Sequence, residues 1–252
     1  MHAPESDAAA NESATRAILP LVLSGVCVDA GAHRILHDLS LELIHGPLTV
    51  VLGPNGAGKT VLIKLCHGLI RPTRGTVRWA DPLAARRADA QAMVFQRPVL
   101  LRRSVSANLD YVLRVGRVPG ADRVRRLREA LDLAGLSALG KRPARVLSGG
   151  EQQRLALARA SVLQPRVLFL DESTSNLDPA ATRRVEEMIL TIAGRGTKII
   201  MSTHDLGQAR RLADEIVFLH QGRVVESGDA AHFFRRPRTD AARAFVEGRL
   251  LW

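Results

Sequence analysis

The chain has 252 residues, 46 % hydrophobic and 24 % charged, which is enough apolar material for a sizeable buried interior. Its formal net charge is +11, carried almost wholly by arginine, since lysine occurs only at 59, 64, 141 and 198. Such a balance suits anionic partners or a solvated arginine-rich surface, and with no basic block interleaved with aromatics no nucleic-acid partner is expected. No run reaches the 18 or so apolar residues of a membrane span, so any membrane role needs a partner and the chain is expected in the cytosol. Cys27 and Cys66 lack metal-ligand spacing and read as buried thiols in a reducing compartment.

Residues 1–18 are small and polar, without the apolar centre of a signal peptide, and are expected to form a disordered tail. Strand patterns follow at Leu21–Leu23, Val26–Val28, Ile35-Leu36 and Leu39–Leu43, bounded by Gly31 and Gly46-Pro47. Next, the apolar run Leu48–Leu52 leads into Gly53-Pro54-Asn55-Gly56-Ala57-Gly58-Lys59-Thr60, and Val61–Leu65 leads out. A buried strand, a glycine-rich loop and a helix start form the context of a phosphate-binding P-loop. Its N–H groups can hold polyphosphate oxygens, Lys59 would bridge the β- and γ-phosphates, and the Thr60 hydroxyl would take a Mg2+ ion.

Leu62, Leu65, Cys66 and Leu69 recur at helical spacing until Arg71–Gly75 stops the helix, and Thr76–Trp79 reads as an edge strand. Residues 81–91 read as a loop with a short helix, and Ala92–Phe95 as a short buried strand ending at Gln96. Residues 97–146 carry two helical stripes, Val105-Leu109-Val112-Leu113 and Val124-Leu127-Leu131-Ala134, with Arg123, Arg125, Arg126 and Arg128 on a solvated far side. Strand–helix alternation then resumes with Val167–Leu170, Ala180–Ala193, Lys198–Ser202 and Leu206–Ala213. A strand pair, Glu215–Leu219 and Arg223–Glu226, follows, and then a helical tail over Thr239–Gly248. This alternation implies an α/β fold with a mainly parallel sheet, and the helical stretch a subdomain inserted into it.

Two further constellations carry chemistry. Four hydrophobic residues end at Asp171-Glu172. At the carboxyl end of a strand, Asp171 would hold Mg2+ and Glu172 would polarise a water in line with the γ-phosphate as general base. Leu147-Ser148-Gly149-Gly150-Glu151-Gln152 opens a helix with Ser148 as N-cap. The free N–H groups beside Gly149 and Gly150 make a second anion site.

Leu147–Gln152 resembles the signature motif of ATP-binding cassette (ABC) ATPases. The other elements stand in that family's order: P-loop 53–60, Gln96, signature, Asp171-Glu172, Ser175-Asn176-Leu177-Asp178, and His204 after a strand. The resemblance runs from about Val22 to Gly228. It implies a P-loop NTPase (RecA-like) core with an antiparallel β subdomain, in an ABC ATPase domain over 19–250. The core would be 19–96 and 147–250, and the helical subdomain 97–146. It implies ATP and Mg2+ as ligands and a head-to-tail homodimer, each ATP lying between one copy's P-loop and the other's Ser148-Gly149-Gly150. His204 would contact γ-phosphate and attacking water, Gln96 would touch Mg2+ and water and link the core to the helical insert, and Asp178 would lie in the loop crossing the interface. Ala30 stands where the family usually places an aromatic ring under the adenine, with His33 or Arg34 as substitutes. Ser173 stands where it often has proline, with little effect expected.

One nucleotide domain without long coiled coils is similar to the ATPase subunit of an importer. Phe95-Gln96-Arg97-Pro98, the insert and Ala241–Gly248 look like tungstate/molybdate-type oxyanion importers. That implies integral membrane permease subunits, an extracytoplasmic solute-binding protein and a peripheral place on the cytoplasmic face of the inner membrane. The alternatives are importers of phosphate or amino acids, or a soluble ABC ATPase acting on nucleic acid or the ribosome.

Overall fold

The computed structural model describes residues 13, 15, 17–44, 46, 48–87 and 89–249. The strands sort into two sheets by their burial. Strands β3 (Leu48–Leu52), β6 (Val167–Asp171) and β7 (Lys198–Thr203) are buried at every position, as strands covered on both faces must be. They form the middle of a six-stranded sheet, completed by β5 (Gln91–Val94), β8 (Glu215–His220) and β9 (Arg223–Asp229), in the order β5-β6-β7-β3-β8-β9. All its pairings are parallel except β8 with β9. The second sheet is antiparallel, β2-β1-β4, from β1 (Leu21–Ala30), β2 (His33–Leu43) and β4 (Arg74–Trp79). Here β2 buries alternate residues from Leu39 to Leu43, as a strand with one wet face does.

Successive side chains of the central strands point to opposite faces and so feed two cores. Val50, Leu168, Leu170, Ile199 and Met201 pack with α2 (Val105–Val115), α4 (Gly149–Ser161) and α5 (Pro179–Gly194). Val51, Phe169 and Ile200 pack with α1 (Lys59–His67) and the three-stranded sheet. Helix α3 (Gly120–Ala134) lies beside α2, α6 (Leu206–Leu212) follows β7, and α7 (Ala230–Arg235) and α8 (Asp240–Val246) close the chain. The α/β expectation, with a mainly parallel sheet and a separate antiparallel one, therefore holds.

Several local expectations are corrected. Of the expected tail over 1–18, residues 1–12, 14 and 16 lie outside the described residues. The described positions 13, 15, 17 and 18 are helical, and Ile18 is fully buried. The Thr15 hydroxyl lies within hydrogen-bonding distance of the Arg166 and Gly196 carbonyls, so burial and backbone contacts hold Thr15 and Ile18 against the core. Leu69 lies outside α1 and is half exposed, because Gly68 ends the helix at φ 85° and the N–H groups of residues 68 and 69 turn back onto Leu65 and Lys64. Strand β5 ends at Val94, the one residue of it that is buried, since it is an edge strand, and Phe95 is exposed. Val124 is exposed as well, and α3 buries Ala130 and Ala134 instead. Helix α7 had no sequence signal beyond Asp229, whose side chain caps it.

At the amino ends of the strands, opposite the P-loop, Lys198 is buried with Nζ 2.7 Å from the Thr49 hydroxyl, which donates to Glu215 at 2.7 Å. Burial pushes the Lys198 ammonium down to about 8, against the pull of Glu215 and Asp214. The unfolded chain keeps the ordinary value near ~10.4, so it binds more protons than the folded chain between these limits, and stability rises with pH there. Lys198→Met removes this titrating group. Urea unfolding at pH 7.5 and pH 10 is expected to show wild type gaining up to ~3 kcal/mol relative to the variant. An equal pH response in both would refute the buried-lysine origin.

Candidate functional site

Strand β3 delivers the chain to the loop at Gly53. A Cβ there would lie 2.1 Å from the Leu219 carbonyl oxygen, so only glycine lets the loop press against β8. The loop is pinned further by Ala57 N–H to Pro54 O and by Gly222 N–H to Ala57 O. Lys59, the first residue of α1, is 5 % exposed. Its Nζ donates to the carbonyls of Gly53 and Pro54, each at 2.9 Å, and lies 3.2 Å from Glu172 Oε1. A buried ammonium thus has three oxygens around it, as burial of a charge requires.

Strand β6 ends on Asp171, 3 % exposed, whose Oδ1 accepts from Thr60 Oγ1 at 2.9 Å and from Ser202 Oγ at 2.8 Å. Ser202, on the neighbouring β7, also accepts the Glu172 N–H on its hydroxyl (3.1 Å), and that N–H reaches its carbonyl at 3.2 Å. Glu172 is held at φ 42°, a left-handed conformation uncommon outside glycine. Its Oε1 is shared between Lys59 and His204, whose Nδ1 is 3.4 Å away and which follows β7 directly. The structure therefore brings together Lys59, Thr60, Asp171, Glu172 and His204. Thr60 Oγ1 and Asp171 Oδ1 are hard oxygen donors side by side, and they fit a Mg2+ ion that completes its shell with phosphate and water. Among the described residues no cluster of three or more His, Cys, Asp or Glu could cage a metal without such help.

Gln96 arrives differently. Its Nε2 donates to Ser175 Oγ at 3.1 Å, and Ser175 Oγ donates to the Glu172 carbonyl at 3.0 Å. No hydrogen bond among the described residues joins it to Thr60 or Asp171. Asp178 caps α5, accepting from the N–H groups of Ala180 and Ala181 at 2.9 Å. Ser148 caps α4 through a reciprocal box, in which its hydroxyl accepts the Glu151 N–H and the Glu151 carboxylate accepts the Ser148 N–H at 2.8 Å. The Ser148 N–H foremost, and then the Ser148 side chain, hold the Glu151 carboxyl below its usual range. A Cβ on Gly150 would stand 2.8 Å from Ala181 Cβ, so the bare backbone lets α4 abut α5. No hydrogen bond or ion pair among the described residues connects Ser148, Gly149 or Gly150 to residues 53–60.

Two residues with clear roles here carried weak sequence signals. Ser202 is a polar residue near the end of an apolar strand, which is the cue that a strand end faces a site. Ser175 stood in the Ser-Asn-Leu-Asp run, but nothing in the spacing tied it to Gln96. At the β1–β2 hairpin Ala30 pairs with His33, and Arg34 is committed to Asp29 at 2.8 Å.

The family model for ABC transporter matches residues 36–175. The phosphate import ATP-binding protein PstB 2 of Natronomonas pharaonis is 37 % identical over 92 % of this chain and 88 % of its own length. The sulfate/thiosulfate import ATP-binding protein CysA of Mesorhizobium japonicum is 39 % identical over 84 % of this chain and 64 % of its own. A probable anion import ATP-binding protein of Haloferax volcanii is 38 % identical over 88 % and 84 %. Other relatives, 36 % and 35 % identical, are named for import of methionine and of Fe(3+) ions. Among solved structures, the dimeric post-hydrolysis state of the ATP-binding cassette MJ0796 bound to ADP and Pi matches with a TM-score of 0.73 and 26 % identity. It covers 83 % of this chain and 98 % of that one.

The Gly53 contact sets a test. Gly53→Ala is expected to displace the loop from Leu219 and weaken nucleoside triphosphate binding at least ~10-fold, the change that ~1.4 kcal/mol makes in an equilibrium. Equilibrium titration with a fluorescent triphosphate analogue, on protein shown to be folded, checks it. Unchanged affinity would remove the steric argument.

Proposed function

This chain belongs to the ABC transporter family and is an ATP-hydrolysing member of it, and from that premise we propose that two copies power the import of an inorganic oxyanion through a separate membrane permease. The observation that carries the mechanism is the Glu172 carboxylate, held by Lys59 and His204 on one chain, while no hydrogen bond or ion pair among the described residues joins Ser148-Gly149-Gly150 to that chain's own P-loop.

The β- and γ-phosphates of ATP replace Glu172 as the partner of Lys59, and the released carboxylate turns to the attacking water. Glu172 takes the proton as the water oxygen bonds to the γ-phosphorus and the bond to the bridging oxygen breaks, leaving ADP and phosphate. His204 orients that water and the γ-phosphate. Thr60 and Asp171 would hold Mg2+, which when bound neutralises phosphate charge. The helix tip at Ser148-Gly149-Gly150 comes from the second copy and shares the γ-phosphate charge, so ATP draws the copies together and hydrolysis lets them part. Asp178, at the start of α5, lies in the loop that meets the partner.

The link to the membrane runs through Gln96. A groove of about 430 Å3, lined by Met93, Phe95, Pro98, Val99, Leu101 and Val112 among others, lies where residues 97–146 meet the core. Phe95 and Val99 are exposed there, 39 % and 70 %. A permease segment seated in it would reach Glu172 through Gln96 and Ser175. This reading divides the chain into a core, 19–96 and 147–250, and a helical subdomain, 97–146. It places the protein at the cytoplasmic face of the membrane, and no helix among the described residues is long and apolar enough to cross one. The cargo is read as an oxyanion because the relatives above are named for phosphate, sulfate/thiosulfate and anion import. Within that class the tungstate/molybdate type is our choice, from the likeness of Phe95–Pro98 and Ala241–Gly248. An extracytoplasmic binding protein would deliver it. Uptake into vesicles holding the ATPase with its permease and binding protein should favour tungstate and molybdate. Uptake of methionine or iron in their place would overturn the cargo reading.

Glu172→Gln is expected to keep ATP binding, accumulate a dimer in ATP by size-exclusion chromatography, and lower phosphate release ~100-fold or more. Wild-type turnover in that variant would remove Glu172 as base. Ser148→Arg should keep ATP binding to the single chain but lose both pairing and hydrolysis.

Base selectivity gives a separate test. Gly58 packs against Leu36 and Ile35 of β2, which puts the Ala30–Arg34 hairpin beside the P-loop. With Arg34 held by Asp29, the exposed His33 ring is the group available to stack on adenine. His33→Ala is expected to raise the KM for ATP ~2- to 10-fold, as loss of one stacking contact does. An unchanged KM would mean that the base rests elsewhere.

A further inference from the structure

Behind Glu172 and His204, the two loops that carry them are tied by one buried amide. Gln208, on α6 four residues after His204, is 2 % exposed. Its Nε2 donates to Thr174 Oγ1 at 2.8 Å, two residues after Glu172, and to Glu186 Oε1 on α5 at 3.1 Å. Glu186, 7 % exposed, is gripped in turn by Arg211 through Nε (3.0 Å) and Nη2 (2.8 Å), one turn further along α6. Asp205 caps the same helix by accepting the Gln208 N–H at 2.9 Å, and its own N–H donates to Thr203 Oγ1 at 3.1 Å. Every polar contact of the Gln208 amide nitrogen therefore holds α6 against the Glu172 loop or against α5.

We propose that Gln208 is a positioning residue for hydrolysis, setting the separation of His204 and Glu172 by clamping the start of α6 to Thr174. It touches neither nucleotide nor water. This inference rests on the roles given above to Glu172 and His204. A bidentate Arg211–Glu186 pair could hold α6 to α5 alone, but it does not touch the Glu172 loop, and of the bonds made by α6 side chains only the one to Thr174 reaches that loop. Displacement of a general base or its orienting group by about 1 Å can cost on the order of 100-fold in rate while leaving ground-state binding alone.

Gln208→Leu deletes both donations and keeps the volume, with Glu186 still paired to Arg211. Thr174→Val removes the acceptor from the other side, and Thr174→Ser restores it. The first two are expected to lower kcat ~10- to 100-fold per folded molecule with the ATP Kd unchanged within ~2-fold, while Thr174→Ser stays near wild type. The double variant Gln208→Leu/Thr174→Val should be no slower than the worse single variant, because both cut one link. Normal kcat in folded Gln208→Leu, or a loss appearing only in Kd, would overturn the proposal, as would additive losses in the double variant. Glu172→Gln, run alongside, separates the two levels. If it turns over normally, the parent reading fails, and if it is inactive while Gln208→Leu is normal, only the clamp fails.

Discussion

The site depends on how the charge of Lys59 is satisfied. An ammonium 5 % exposed cannot stay unpaired at neutral pH without a large penalty, and here two loop carbonyls and the Glu172 carboxylate supply its partners. Removing one partner of a buried pair typically costs about 3–5 kcal/mol, so Glu172 leaves Lys59 only when another anion takes its place. The arriving anion is a triphosphate, which brings more charge than one carboxylate. In the proposed mechanism base release and substrate arrival thereby become the same event, and the carboxylate proposed to activate water is withheld until there is a phosphorus for the water to attack.

The rest of the sheet serves that exchange by fixing where the charges stand. Asp171 is tied to Thr60 and to Ser202, so the ends of β6 and β7 and the start of α1 meet on one carboxylate oxygen. Glu172 adopts φ 42° directly after this anchor, and the turn out of the strand aims its carboxylate at Lys59 and His204. Because β3 lies between β7 and β8, the P-loop rests on Leu219 from one side and faces the acid pair from the other. Alternation along the central strands puts Val50 and Val51, or Phe169 and Leu170, in different cores, so both faces of the frame are packed and neither can shift freely.

Much of this was legible because the informative residues are close in sequence or at the ends of strongly apolar strands. The P-loop, the Asp171-Glu172 pair and His204 each follow such a strand, and the topology gathers strand ends on one side of the sheet. What was not legible depends on side chains meeting across elements. Nothing in the spacing announces that Gln96 reaches Glu172 through Ser175, or that Gln208 spans Thr174 and Glu186. Periodicity also overran where a terminator decided the matter, as at Leu69 after Gly68, and it buried Val124 on a stripe that the fold leaves exposed. Composition also missed that Ile18 is buried and that Thr15 meets the Arg166 and Gly196 carbonyls, since burial of single residues depends on what the fold places beside them.

The signature helix repeats the logic of Lys59 on a second element. Its N-terminus is an anion site by geometry, and in the single chain it already holds an anion, the Glu151 carboxylate on the Ser148 N–H. Glu151 therefore occupies one N–H of the tip just as Glu172 occupies Lys59, and in each case the occupant belongs to the same chain as the cation or dipole it satisfies. The tip that remains for a γ-phosphate is the turn at Gly149 and Gly150, where the former has no heavy atom within 4 Å of a Cβ position and the latter is pressed onto Ala181. Helix α5 therefore meets Gly150 through Ala181 and is capped by Asp178, so the tip and the Asp178 cap bear on the same helix start. In the proposed dimer a phosphate bound at the tip from another chain's P-loop would pull on α5. That helix holds Glu186, and Glu186 holds the helix after His204, so in the proposed dimer closure between two copies would be carried back to Glu172 and His204 through these bonds.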